Sequence, residues 1–234
     1  KRGYMGTKED WKNVEVTLYW RTFLTYRRPA DLNGMGFSVR GGPHHSPTVN
    51  PCWGTALYVG INQGGYTSIL KELGHPKYAI SIFKKNLNTF DIFAHWIGMK
   101  GVFYTRPNGN PYVELWMDIK CNNNWVRLLD YEDKGSWFLK NGQNNTCDGE
   151  TNEKVTWGGP GVIFKIMGLT RVDIKWGSIR EIMPPEGWPV RYLLDARSVS
   201  FPYSMRALAE EHGLTPPVSL RQLIELEAEF YPFS

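Results

Sequence analysis

The chain has 234 residues, of which 41% are hydrophobic, so it is long enough to bury the core of one sizeable domain. Its net charge is +4 and its basic residues form no long runs, which argues against nucleic-acid binding and leaves an acidic polymer as a compatible partner. No apolar stretch approaches the roughly 20 residues of a membrane span, and no signal peptide is visible.

Apolar and polar residues alternate with period two through most of residues 1–183, which predicts half-buried antiparallel strands. The predicted strands lie at 14–20, 37–40, 57–61 and 113–119, and near 78–84, 92–106, 124–131, 161–167 and 170–182. Turn signals such as Asn33-Gly34 and Asn108-Gly109 separate them. Many short strands without alternating helices predict an all-β fold, an antiparallel β-sandwich of jelly-roll type spanning 1–183.

Residues 184–234 predict a different structure, a Pro-containing linker followed by two short helices. Ser204 is a candidate cap for the first helix, and Ser219-x-x-Gln222 forms a capping box for the second. An apolar stripe on this extension predicts packing on the sandwich or on another subunit, so self-association is one expectation.

Three cysteines allow at most one disulfide within the chain. Cys52 and Cys147 both lie in loop-like sequence whereas Cys121 follows a strand, which favours a Cys52–Cys147 pair. Asn144-Asn145-Thr146 is a glycosylation sequon beside Cys147, and with the abundant aromatic residues it favours an extracellular, secreted or cell-surface protein.

The stretch from Arg40 to Tyr78 concentrates titratable side chains, including three of the five histidines. If Phe37 and Val39 face the core, strand alternation turns Ser38 and Arg40 to the opposite face, and the same rule turns Tyr58 outward. We expect the flanking loops to contribute His44, His45, Lys71, Glu72 and His75. An ordinary solvated sheet face is the alternative.

These residue types suit eliminative cleavage of a uronate polymer. Arg40 is expected to neutralise the carboxylate and His44 or His75 to act as the base, while Tyr78 or Tyr58 acts as the acid. Lys71 and Glu72 are expected to position them.

Trp116 lies on the polar phase of its strand and is a candidate platform for stacking a sugar ring. A metal site at the three histidines is less favoured, because adjacent histidines on a strand point in opposite directions. The segment Asp118 to Asn124 resembles a calcium loop but places Lys120 where a ligand is needed, so a polar turn is preferred and calcium is a weak alternative.

Several segments resemble the secreted concanavalin A-like jelly-roll proteins, a superfamily of glucanases, polysaccharide lyases and lectin modules. The resembling segments are Tyr4-Met5-Gly6, Asp10–Glu15, Arg40-Gly41-Gly42 with His44, Cys52-x-Gly54, Lys71-Glu72 with His75 and Tyr78, Trp157–Pro160 and Val172–Ile174. The resemblance implies a carbohydrate-handling sandwich over about residues 3–182. The paired-carboxylate motif of laminarinase-like glucanases and the strand motifs typical of one alginate lyase family are absent.

The leading hypothesis is an extracellular β-sandwich that binds an acidic polysaccharide and cleaves it by β-elimination. Its rival is a non-catalytic lectin-like module, or a structural module of a surface assembly, in which the same groups only bind.

Overall fold

The computed structural model of the protein describes residues 5–25, 34–41, 50–62, 64–85 and 94–184. His44, His45 and the predicted helical extension from residue 185 onward lie outside these ranges. Within them, no helix is long and apolar enough to cross a membrane.

The described residues form eleven strands and one short 3-10 helix, Pro51–Gly54. The strands are β1 Met5–Trp11, β2 Val14–Thr25, β3 Gly34–Gly41, β4 Ala56–Asn62, β5 Tyr66–Glu72, β6 Ile82–Lys85, β7 Ile97–Thr105, β8 Pro111–Asp118, β9 Val126–Glu132, β10 Gly159–Met167 and β11 Leu169–Glu181.

These strands make two antiparallel sheets. The six-stranded sheet has the order β1-β10-β3-β4-β5-β6, and the five-stranded sheet has the order β11-β2-β7-β8-β9. Their inner faces enclose one hydrophobic core, to which the six-stranded sheet contributes Phe37 and Val59 and the five-stranded sheet contributes Leu18 and Leu115. The predicted antiparallel β-sandwich of jelly-roll type is thereby confirmed.

The alternation of side chains explains why these segments pair in this register, since a slip by one residue would turn the apolar set outward. Gly101 marks a close approach of the sheets. A Cβ atom there would lie 2.9 Å from Val59 and 3.1 Å from Phe37, so those side chains occupy the space above it.

The structure differs from the sequence prediction at two strands. Lys71 and Glu72 were expected in a loop, but both belong to β5, which pairs with β4 over six residues. The residues Tyr66-Thr67-Ser68 give β5 a polar start that weakens its alternation. Strand β1 was not predicted either, and it pairs with β10 at the sheet edge.

A long segment after β9 closes one end of the core. Trp137, Leu139 and Val155 are each 5% exposed or less and belong to the core cluster. Trp137 also donates its indole N–H to the Ile80 carbonyl at 2.6 Å. This segment therefore packs as part of the sandwich, although it contains no named strand.

Candidate functional site

A group of polar side chains surrounds the Glu72 carboxylate on the outer face of the six-stranded sheet. We call it the Glu72 cluster; it consists of Tyr58, Glu72, His75, Tyr78 and Lys165. His75 Nδ1 lies 2.7 Å from Glu72 Oε1. The hydroxyl of Tyr58 donates a hydrogen bond to the same carboxylate, and Tyr78 lies beside Glu72. Glu72 itself is 0% exposed.

The chain reaches this arrangement through a tight turn directly after β5. Leu73 N–H donates to the Lys77 carbonyl at 2.8 Å, and Lys77 N–H donates to the Gly74 carbonyl at 2.6 Å. The turn brings Tyr78 back beside Glu72 as an isolated antiparallel bridge. The turn therefore places Tyr78 next to Glu72, although the two residues are six apart in sequence.

Burial raises the pKa of Tyr58 and Tyr78 well above the usual phenol value, and the neighbouring Glu72 carboxylate raises both further. Both phenols therefore keep their protons at neutral pH. With His75 Nδ1–H donating to Glu72, the basic lone pair of the imidazole lies on Nε2. The His75 side chain is 32% exposed.

Lys165 joins the cluster from β10, where it lies directly opposite Gly36. Its Nζ atom is 3.8 Å from the centroid of the Tyr58 ring. Burial lowers the pKa of Lys165, and the Glu72 carboxylate opposes that effect. Lys165 was not predicted as a site residue, although its place on an alternating strand was the available signal.

Ser38 and Tyr58 share the face opposite Phe37 and Val39, as the alternation predicts, and they are cross-strand partners. The prediction that this face is exposed is wrong at these positions. Ser38 is 1% exposed and Tyr58 is 2% exposed. A ligand at the Glu72 cluster would therefore meet His75 before the phenol of Tyr58.

Arg40 does not belong to the cluster, and its expected exposure is also wrong. Its side chain is 0% exposed, and its Nε and Nη1 atoms donate to the carbonyls of Lys12 and Val155, both at 2.8 Å. Its Nη2 atom lies 3.5 Å from Asn13 Oδ1. The Arg40 guanidinium therefore joins separate segments of the chain, and it is not positioned to bind a uronate.

Lys71 is likewise buried and turned toward the core side, directly opposite Leu57. Its Nζ atom is 2.7 Å from Asp133 Oδ2 and 2.9 Å from the Glu153 carbonyl. Burial lowers the pKa of Lys71, while Asp133 opposes the effect. Lys71 therefore joins β5 to the segment after β9 and does not position the Glu72 cluster.

A second polar surface lies on the outer face of the five-stranded sheet, where Trp116 is half-buried. Thr17, Lys100, Trp116 and Arg127 form consecutive cross-strand pairs on β2, β7, β8 and β9, and we call this set the Trp116 row. Trp116 Nε1 donates to Glu114 Oε2 at 2.6 Å, and the Arg127 guanidinium lies 5.8 Å from the indole centroid.

Arginines pair with the carboxylates beside this row. Arg180 Nη2 is 2.8 Å from Glu15 Oε1, and Arg127 Nη1 is 3.7 Å from Glu114 Oε1. Lys100 differs, because its Nζ atom lies 4.4 Å from the centroid of the Trp125 ring. Among the described residues it forms no ion pair with a carboxylate.

The predicted disulfide between Cys52 and Cys147 is confirmed, and it closes 95 residues of sequence. Cys121 is a free, half-buried thiol. Asn144 is exposed beside this bridge, and its glycosylation stays a prediction.

The Asp118 to Asn124 segment is a turn. Asp118 accepts hydrogen bonds from the backbone N–H groups of Asn122 and Asn123 at 3.2 and 2.7 Å, and from the Tyr19 hydroxyl at 2.9 Å. Across the described ranges, no group of three or more acidic, histidine or cysteine side chains is placed to hold a metal ion.

The sequence matches no protein-family model and no curated protein. Among solved structures, congerin II in complex with lactose and MES is similar, with 8% sequence identity, a TM-score of 0.38 and coverage of 75% of this chain and 100% of that chain. Two single-residue variants of congerin II give 7% and 8% identity, TM-scores of 0.36 and 0.35, and the same coverage. These values assign neither a ligand nor an activity to the present chain.

Proposed function

We propose that the protein binds an acidic polysaccharide on the outer face of the five-stranded sheet, with Trp116 as the stacking surface for a pyranose ring. The observation that carries this proposal is the Trp116 row, in which a half-buried indole is flanked by Lys100 and Arg127 on the neighbouring strands.

The geometry of Trp116 supports stacking. Its hydrogen bond to Glu114 fixes the indole on a rigid strand, so little side-chain freedom is left to lose when a sugar binds. Aromatic side chains combine a large apolar surface with a polar edge, which matches the apolar faces and hydroxyl rims of sugar rings.

Lys100 supports an acidic ligand. Burial lowers the pKa of Lys100, because the ammonium is only partly hydrated, and Glu15 opposes the effect more than Glu114 does. Among the described residues, Lys100 forms no ion pair with a carboxylate. A uronate carboxylate placed beside Trp116 would form that ion pair with Lys100. Arg127, whose side chain is 46% exposed, offers a second cation on the other side of the indole.

Titration calorimetry of the full chain with glucuronan and alginate tests this function. We expect saturable binding that Trp116→Ala weakens roughly three- to tenfold, the loss of one aromatic contact. Trp157→Ala is the matched control, because Trp157 is 39% exposed and precedes β10 of the other sheet.

Lys100→Ala separates acidic from neutral ligands. It should weaken binding of glucuronan while leaving any binding of a neutral β-glucan unchanged. Equal effects of Trp116→Ala and Trp157→Ala would contradict the proposed surface.

The Glu72 cluster favours a second function, β-elimination of a uronate bound at the outer face of the six-stranded sheet, a site separate from the Trp116 row. His75 Nε2 would remove the proton at C5, and that electron pair would form the C4–C5 double bond as the C4–O4 bond breaks. The Tyr78 hydroxyl would donate its proton to the departing oxygen, and Lys165 would stabilise the charge on the carboxylate. Support comes from the His75 contact with Glu72 and from the bridge that places Tyr78 beside Glu72.

Ultraviolet absorbance of the unsaturated sugar product measures this activity. We expect His75→Ala and Tyr78→Phe to abolish it and His95→Ala, an exposed histidine outside the cluster, to preserve it. If the wild-type chain binds glucuronan but forms no unsaturated product, the non-catalytic lectin-like function is correct.

We further infer an extracellular location. The disulfide supports it, because such bonds persist in oxidising compartments. Glycosylation of Asn144 belongs to the same proposal. Mass spectrometry of the secreted protein would detect the glycan, and an unmodified Asn144 in a eukaryotic secretory host would contradict it.

A further inference from the structure

Trp176 lies on β11 at an irregularity of the five-stranded sheet. Lys175 pairs with Tyr19 and Ser178 pairs with Thr17, so Trp176 and Gly177 together oppose the single residue Leu18. This is a β-bulge, and Trp176 has a φ of 51° within it. The extra residue turns Trp176 to the outer face, whereas a regular strand would point this position inward with Leu18.

The outcome is a strained and exposed tryptophan. A bulky residue rarely adopts positive φ, and such a conformation persists only where the surrounding structure imposes it. Trp176 is nevertheless 66% exposed, so its strain is not offset by deep burial in the core. Its ring is instead held at the surface by an edge contact with Tyr19, with centroids 5.3 Å apart.

Trp176 and Trp116 share one face of the sheet. Tyr19, which contacts Trp176, bonds through its hydroxyl to Asp118 at the end of the same strand that carries Trp116. Strands β2 and β7 separate β11 from β8, so the two tryptophans stand about three strand spacings, or roughly 14 Å, apart across the sheet.

We propose that Trp176 is a second stacking platform and that the ligand is an acidic oligosaccharide of several rings running across the strands. This inference rests on the proposed binding function at Trp116. A monosaccharide or disaccharide contacts Trp116 alone, whereas a longer chain reaches Trp176 as well.

Lys175 gives this second platform its charge preference. Its Nζ atom lies 3.8 Å from the Trp176 ring centroid and 4.3 Å from the Trp96 ring centroid. Among the described residues it forms no ion pair with a carboxylate. Lys100 and Lys175 thus place one ammonium near each platform, which suits a polymer with a carboxylate on every ring.

The test is titration of the full chain with glucuronate oligomers from disaccharide to hexasaccharide. Wild-type affinity should rise with length, and Trp176→Ala should weaken hexasaccharide binding by roughly three- to tenfold while leaving the disaccharide unchanged. Trp176→Phe should retain most of the gain with length, and Trp157→Ala should have no effect. An unchanged melting temperature checks that the exposed substitution leaves the fold intact.

The results of this titration distinguish failure of the second platform from failure of the proposed function. A gain with length that survives Trp176→Ala, alongside a loss caused by Trp116→Ala, overturns the second platform and leaves the proposed function standing. Insensitivity of every oligomer to Trp116→Ala overturns the proposed function itself, and no binding at any length overturns both.

Discussion

Arg40 is a buried cation whose hydrogen bonds go to backbone carbonyls. Burial lowers the pKa of Arg40 to about 10, so it remains protonated at neutral pH. Its bonds to the Lys12 and Val155 carbonyls join the β1–β2 turn to the segment before β10. A residue type that suits uronate binding therefore has a structural role here.

Replacing Arg40 should destabilise the fold. Arg40→Ala leaves two carbonyls without their charged donor and opens a cavity, so we expect the free energy of unfolding to fall by about 3 kcal/mol. Urea denaturation followed by tryptophan fluorescence measures the change, and Arg127→Ala on the outer face should change it by less than about 0.5 kcal/mol. If Arg40→Ala left stability unchanged but abolished glucuronan binding, the structural role would be contradicted and Arg40 would be a ligand-binding residue.

Single side chains show what sequence patterns can and cannot predict. Alternation correctly separates Tyr58 from Leu57 and Val59, because it reports which face of a strand a residue occupies. It does not report what covers that face, so it could not show that Ser38 and Arg40 are buried. The hydrogen-bond partners of the Lys71 ammonium lie at least 62 residues away in sequence, and no local pattern reveals such a pairing.

At the scale of elements, the Glu72 cluster links three strands of one sheet and the turn after β5. Tyr58 comes from β4, Glu72 from β5 and Lys165 from β10, so their hydrogen bonds and ring contacts cross several backbone ladders. Such a network makes the stability of the sheet sensitive to the protonation of its members.

This linkage predicts a loss of stability at alkaline pH. The folded pKa of Tyr58 is raised well above its ordinary value of 10.0, so above that pH the unfolded chain releases the phenol proton while the folded chain keeps it. Stability from this group is fully present below pH 10.0 and falls as pH rises, by at most about 1.4 kcal/mol per pH unit.

Tyr58→Phe should flatten this decline, as measured by urea unfolding at a series of alkaline pH values. Tyr78, Tyr19 and Tyr112 also have raised pKa values, so the variant should retain part of the slope. Identical slopes for variant and wild type would contradict the linkage.

The strands themselves were largely predictable, because period-two alternation follows directly from the geometry of a sheet. β5 was not, since Lys71 and Glu72 make its end look like a loop while both are in fact paired with β4. The bulge at Trp176 could not be predicted from the sequence either. One extra residue changes which face of the sheet a side chain occupies without interrupting the apolar pattern around it.

At the scale of the whole molecule, the Cys52–Cys147 bridge joins the short helix before β4 to the long segment after β9. Gly74 lies against it, since a Cβ atom there would be 2.9 Å from Cys147 Sγ. The bridge therefore fixes the segment that closes the core near the turn that carries His75.

Removing the bridge should lower stability by about 2–5 kcal/mol, because a crosslink across a long loop restricts the unfolded chain. Paired Cys52→Ser and Cys147→Ser substitutions, followed by denaturant unfolding, measure the loss. Cys121→Ser is the control, as that thiol forms no disulfide. Equal midpoints for the paired variant and wild type would show that the segment is held by packing alone.

Among the described strands, β11 and β9 form the two edges of the five-stranded sheet, and β11 has 13 residues and exposed apolar side chains such as Ile174. A long edge of this kind invites a strand from another molecule to add alongside it. The two residues that oppose Leu18 interrupt the regular ladder near its middle, so a second chain cannot extend an unbroken row of hydrogen bonds past them. The same distortion that presents Trp176 to the outer face thereby protects the protein against aggregation through this edge.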